Sequence, residues 1–202
     1  MPLSCAPREW NKRSRGTLDD CLGGFALTAV DALDTLAVLG DYGEFRRGVA
    51  RVVAHVSFDR DVTVSVFETT IRVLGGLLSA HALAADEALG IMPDYNDELL
   101  GLAIDLGERL LPAFDTPTGI PYHRVNLRRG VLPSESPDTC TAAAGSLLIE
   151  FETLSRYSGH AEFAAAARRA VLALWARRSG KDLVGADIDV VTGKWRSSIT
   201  GM

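Results

Sequence analysis

Cysteine is scarce in this chain. Its three residues, Cys5, Cys21 and Cys140, are too few to staple a small fold with disulfides, and an odd number leaves at least one unpaired or joined to a group outside these residues. Long apolar runs are missing too. No stretch reaches the roughly eighteen residues that read as a membrane span, and the greasiest one is interrupted by Glu68 and Arg72. Basic charge is in the minority, 21 Lys and Arg against 26 Asp and Glu, for a net charge of -5. Apart from Lys12, Arg13 and Arg15 the basic residues are scattered, with no stripe interleaved with aromatics, so no nucleic-acid partner is expected. The opening MPLSCAPREW has no apolar core of a signal peptide, which on its face reads as cytosolic if Met1 is the true start. What the chain does have is bulk. Across 202 residues 47% are apolar and 23% charged, enough to bury a sizeable core and too apolar for disorder.

The chain is organised around residues 64–83, VSVFETTIRVLGGLLSAHAL. Phe67, Ile71, Leu74 and Leu78 recur at steps of three and four, and Val66, Val73 and Leu77 widen their stripe, which predicts one long helix that is apolar on nearly every side. The exception is a line through Glu68, Arg72, Gly75, Gly76 and Ser79, where an acid, a base and three small residues share one face. That line is either a Glu–Arg pair on a solvated edge, or a carboxyl held in a mostly dry setting beside a guanidinium, with room for a ligand over the glycines. A charge in apolar company must be paired, protonated or used.

Around it the pattern is helical. Residues 22–39 read as a helix with Phe25, Val30, Leu33, Leu36 and Val38 apolar and with Asp31 and Asp34 on one face. Those acids form either an exposed strip or a polar wall of an internal cavity. Residues 40–43 break it, and 44–56 form the next helix, with Phe45, Val49, Val52 and Val53 apolar. A further amphipathic helix spans 94–111 and ends at Pro112. Residues 112–139 are a long proline-containing connection with a short strand expected at 121–127, and so long a connection is usually functional or partly structured. Residues 140–154 form another apolar helix that carries Glu150, 161–175 an alanine-rich one, and 183–195 a hairpin closed by Thr192 and Gly193. Gly40 leading to Glu44 and Phe45, and Gly159 leading to Glu162 and Phe163, form a faint repeat. Helix pairs that repeat in this way suggest an α/α toroid, whose inner helices would carry Asp31 and Asp34, Glu68 and Arg72, and Glu150, all facing one cavity.

At these residues the chain resembles glycoside hydrolase family 47, the class I α-1,2-mannosidases, and within it the endoplasmic-reticulum degradation-enhancing branch. The matching segments are FALTAVDALDTLAVLG (25–40), SVFETTIRVLGGLLSAH (65–81), YNDELL (95–100), RLLPAFDTPTGIPYHRVNL (109–127), DTCTAAAGSLLIEF (138–151) and TGKW (192–195). The resemblance implies an all-α, (α/α)₇ barrel. It implies inverting removal of α-1,2-linked mannose from the mannose-rich N-glycans of misfolded glycoproteins, with a bound Ca2+, in the endoplasmic reticulum. It assigns Glu68 as the catalytic acid, Arg72 as a sugar-binding residue near the scissile bond and Glu150 as a pocket wall, with Asp31 and Asp34 as further substrate-binding candidates. Inverting hydrolysis needs one carboxyl group to protonate the leaving oxygen and a second to activate water, roughly 6.5–9.5 Å apart.

Against the family pattern residues 1–202 read as a partial catalytic domain, lacking the first helix and the C-terminal half of the barrel. Further catalytic carboxyls and the calcium-binding Thr are expected there, so that no metal ligand falls in this chain and the chain alone is expected to be inactive. Cys5 matches a cysteine that in this branch can bond one in the later half, and a redox partner is possible. Cys140 is expected as a small buried residue. The alternative is a non-catalytic module that binds glycans or client proteins; a third, another toroid enzyme such as a sugar epimerase, lacks a supporting histidine arrangement. An open half-barrel is also expected to expose its apolar inner helices and self-associate.

Overall fold

The computed structural model describes residues 24–197. The expectations for Cys5, Cys21, the basic cluster at 12–15, the helix start at Leu22 and the end of the chain lie outside the described residues.

The segment expected as one helix over 64–83 divides in two ways. Thr63–Ser65 is a strand, β1, paired antiparallel with β2, Arg124–Asn126, the short strand expected within 121–127. Thr63 and Val64 are β-branched and suit the extended pairing. Ser65 ends it, because its hydroxyl accepts the Glu68 N–H at 3.2 Å and caps the helix that follows. That helix begins as α4 (Val66–Glu68), widens into a π-helical stretch over Thr69–Leu74 and continues as α5 (Gly75–Ala85). A π turn closes i to i+5 bonds and holds more residues than an α turn. Side chains from Gly75 onward are therefore rotated away from the straight polar line that uniform α spacing predicts. The rod is otherwise as greasy as expected: Val73, Leu74, Leu77 and Ala80 are fully buried, as are the hydroxyl-bearing Thr69 and Thr70.

Two other expected helices are also split. The one over 22–39 becomes α1 (Leu27–Asp31) and α2 (Leu33–Val38), with a turn at Ala32 between them. The one over 140–154 becomes a strand, β3 (Asp138–Cys140), then α7 (Thr141–Gly145) and α8 (Leu148–Ser158). Cys140 is half-buried rather than buried, and its sulfur accepts the Ala143 N–H at 3.4 Å as the cap of α7. Closer to expectation are α3 (Tyr42–His55), α6 (Glu98–Leu110) and α9 (Ala161–Ala176). Phe45, Val49 and Val52 face inward on α3, whereas Val53 is exposed, and so is Val38 at the end of α2. The hairpin expected over 183–195 is β4 (Asp187–Asp189) and β5 (Trp195–Ser197), and β3 adds to it as a third antiparallel strand.

The repeat has a backbone cause. Gly40 and Gly159 both lie at left-handed φ, 80° and 77°, where a side chain is strained. Each closes one helix and turns the chain into an outer one, anchored by the fully buried Phe45 or Phe163. In the assembled fold α5 packs on α1, α2, α6 and α8, while α3 covers α2 and α9 covers α8. The architecture is an incomplete α/α toroid of the (α/α)₇ kind, with the central rod among its inner helices. The most exposed large apolar residues include Val38, Leu39, Ile149, Leu172 and Trp175, on α2, α8 and α9 and just after α2, and among the described residues none is on the central rod.

A buried histidine closes the far end of that rod. His81 is 3% exposed, lies 2.9 Å from the Tyr95 hydroxyl and meets Tyr157 edge-on. Burial holds its imidazole below the ordinary histidine value, against an opposing pull from Asp97. Burial also pushes the Tyr95 hydroxyl up to about 12, so it stays neutral beside the imidazole. With the folded value depressed, the unfolded chain binds the proton first. The stability His81 contributes is thus complete above the ordinary histidine value of about 6.5 and is lost as pH falls from there through the folded value. Melting temperature should drop across that interval, and His81→Gln should flatten the drop; an unchanged slope in the variant would exclude His81 as its cause.

Candidate active site

Four contacts string the expected site residues along the central rod. At its start Arg72 Nε donates to Glu68 Oε2 at 2.7 Å. Glu68 is placed by the Ser65 cap, and its carboxylate turns to Arg72 instead of returning to the Ser65 N–H as in a full capping box. The pair is not dry: the side chains are 36% and 45% exposed. An exposed pair at this spacing contributes only about 0.3–0.5 kcal/mol, so fold stability is a weak reason for its presence.

Farther along, the space expected for a ligand over the glycines is taken by the protein itself. A Cβ on Gly75 would lie 3.7 Å from Glu150 Cγ and 3.9 Å from its Oε1, and a Cβ on Gly76 would lie 3.1 Å from Val30 Cγ1 and 3.2 Å from the Val30 carbonyl. Gly76 therefore lets α1 approach the rod more closely than a side chain would allow, while Glu150 rests at ordinary contact distance over Gly75. Gly75 is seven residues after Glu68, on the far side of the π-helical stretch. Glu150 Oε2 is buried, with no hydrogen-bond partner among the described residues. A buried polar oxygen in that state is costly in a structural role. The hydroxyls of Thr69 and Thr70, on the adjoining π-helical turn, share that condition.

One turn after Gly75, Ser79 Oγ donates to Asp34 Oδ2 at 2.9 Å, tying α2 to the rod. Asp31 does not join this series. It is exposed on α1. The structure thus ties Asp34 and Glu150 to the strip that begins with Glu68 and Arg72, and leaves Asp31 outside. Sequence reading missed Ser65, although S-x-x-E ahead of an apolar run is a capping signature. It also missed the partnership of Ser79 with Asp34, which no local pattern announces.

Calcium takes 6–8 oxygen ligands, and among the described residues no three His, Cys, Asp or Glu side chains come together as a metal site. The calcium implied by the resemblance is therefore not assigned to these residues.

The comparisons place this geometry. The model described as glycosyl hydrolase family 47 matches residues 1–202. The chain is 55% identical over 185 residues to Alpha-mannosidase I MNS4 of Arabidopsis thaliana, covering 91% of this chain and 30% of that protein. It is 48% identical over 211 residues to ER degradation-enhancing alpha-mannosidase-like protein 3 of Homo sapiens, covering 100% of this chain and 23% of that protein. Among solved structures it is similar to an alpha-1,2-mannosidase from Trichoderma reesei, with a TM-score of 0.78 at 29% identity, over 86% of this chain and 38% of that one. The chain thus spans about a quarter to a third of the relatives it matches. Shared helical architecture and a match along its whole length lead to one assignment: the chain belongs to glycosyl hydrolase family 47.

Proposed function

We propose that this chain supplies the acid-bearing wall of an α-1,2-mannosidase site that trims mannose-rich N-glycans of misfolded glycoproteins in the endoplasmic reticulum. The observation that carries the reading is the unpartnered, buried Glu150 oxygen set on Gly75, in series with the Glu68–Arg72 pair. In this reading Glu68 donates the proton to the departing glycosidic oxygen. Arg72 holds a sugar hydroxyl beside it, and Glu150 accepts hydrogen bonds from the ring as it desolvates the site. Asp34, held by Ser79, borders the sugar farther along the rod. Inversion calls for a second carboxyl on the opposite ring face to activate water. Calcium, with its hard oxygen preference, would orient sugar hydroxyls when bound.

A second reading, glycan or client binding without cleavage, draws support from the same pair, since a carboxylate engaged by a guanidinium still accepts sugar hydroxyls. Titrating α-1,2-linked mannobiose onto the chain tests what the two glycan readings share. Saturable binding is expected, with Arg72→Ala weakening it about tenfold, the equivalent of about 1.4 kcal/mol. A chain that takes up no mannobiose defeats both, and release of free mannose in the same mixture decides for catalysis.

A further inference from the structure

The far end of the rod carries a titratable junction that the mannosidase reading leaves unused. Residues 86–97 join α5 to α6 through turns, without helix or strand, so side-chain contacts hold them to the helices. Ile91 is 2% exposed, and its carbonyl accepts Arg46 Nη1 of α3 at 2.9 Å. Tyr95 reaches back to the rod, its hydroxyl 2.9 Å from His81 Nδ1. The same oxygen accepts the Leu99 N–H of α6 at 3.2 Å. One hydroxyl thus joins the loop, the rod and the next helix.

The imidazole has a second partner close by. Asp97 Oδ1 lies 3.7 Å from the same Nδ1, just beyond hydrogen-bond length. Asp97 directly precedes α6 at a φ of 60°, a left-handed conformation that aspartate tolerates better than most side chains. Its side chain is 66% exposed against 4% for His81, so the pair straddles the boundary between core and water. The other neighbours leave the ring's charge alone. Tyr157 of α8 meets it edge-on, α5 has no other titratable residue, and Asp34 of α2 is engaged by Ser79. Asp97 is the charge that acts on the imidazole, while Glu98 acts on the Tyr95 hydroxyl.

The ring's bonding changes with its protonation. A neutral imidazole has one donor and one acceptor and can meet a hydroxyl as either, whereas an imidazolium carries N–H on both nitrogens and accepts nothing. A bond from a charged donor to a carboxylate is about twice as strong as a neutral one. The neutral ring therefore suits Tyr95, and the charged ring suits Asp97. Burial favours the neutral form, which makes the Tyr95-bonded arrangement the resting one.

We infer that His81 is an acid-sensitive latch on residues 86–97: neutral, it holds Tyr95; protonated, it turns its Nδ1–H to Asp97 and releases Tyr95, the loop and the start of α6. One proton from solvent adds to the imidazole, and neither the tyrosine nor the carboxylate changes its own. The latch is independent of the mannosidase reading. It is tested by amide hydrogen exchange at about pH 7.5 and about pH 5, on either side of the ordinary histidine value, expressed as protection factors to remove the intrinsic pH dependence. At the lower pH, protection at Tyr95 and Leu99 should fall about tenfold further than across α9, the mark of local rather than global opening. His81→Gln, which cannot take up the proton, should abolish the difference. Asp97→Asn alters an exposed side chain and keeps the fold, so it carries the test if the glutamine variant does not fold. Without the carboxylate to receive Nδ1–H, its transition should move to lower pH. A fall that persists in His81→Gln, a fall shared equally by α9, or an unmoved transition in Asp97→Asn overturns the latch.

Discussion

Glu68→Gln is expected to cut mannose release by about 10²–10⁴-fold, the usual contribution of a positioned general acid. The assay uses a chimera in which residues 24–197 replace the matching part of a full-length relative such as the human ER degradation-enhancing protein, so that the remaining carboxyls of the barrel are present. Glutamine keeps the size of the side chain and an acceptor for Arg72 Nε, and the Ser65 cap acts on the Glu68 backbone N–H rather than its carboxylate. Geometry should therefore persist while the transferable proton is lost. The drop should fall on turnover, with mannobiose affinity changed by less than about threefold, since an interaction made only in the transition state lowers kcat and kcat/KM together. A chimera that keeps its rate after this substitution would remove Glu68 from the chemistry, whatever its place on the rod.

The second large effect is on stability. Phe151 is fully buried, its ring 5.2 Å from Phe114 and 6.2 Å from Phe163, and it joins α8 to the turn after α6 and to the outer helix α9. Truncating such a residue costs about 3–5 kcal/mol, against a total of about 5–15 kcal/mol for an ordinary domain. Phe151→Ala should lower the denaturation midpoint severely or abolish cooperative unfolding. Because Glu150 is the preceding residue, its seat on Gly75 should loosen as well. Ile149, two positions earlier, is 76% exposed, and Ile149→Ser should shift stability by less than about 0.5 kcal/mol, as surface changes do. Equal losses from the two substitutions would mean that the burial pattern of α8 is misassigned.

That contrast across three successive residues also shows how far sequence reading reaches. The steps of three and four along the central rod marked its burial, because helical period follows directly from backbone geometry. The glycine turns at 40 and 159 were legible because few other residues take up a left-handed φ without strain. A uniform α period carried the reading past its limit at Thr69–Leu74, where the π turn shifts the face. It failed again at Ala32 and at Ser146–Leu147, where apolar content continues while the helix does not. Composition records no hydrogen-bond register. The strand at Thr63–Ser65 went unread for the same reason: its partner lies some sixty residues away, and the pairing, not the local pattern, makes it a strand.

Residue type and spacing by themselves determined that this chain is helical, that its core rod carries an acid and a base four apart, and to which family it is similar. Tertiary packing alone decided what fills the glycines, that Glu150 rather than a ligand lies on Gly75, that Ser79 holds Asp34 and that Asp31 is left outside. Periodicity describes one helix about its own axis. The distance between two helices is set by the side chains that meet between them, and those come from segments with no common period.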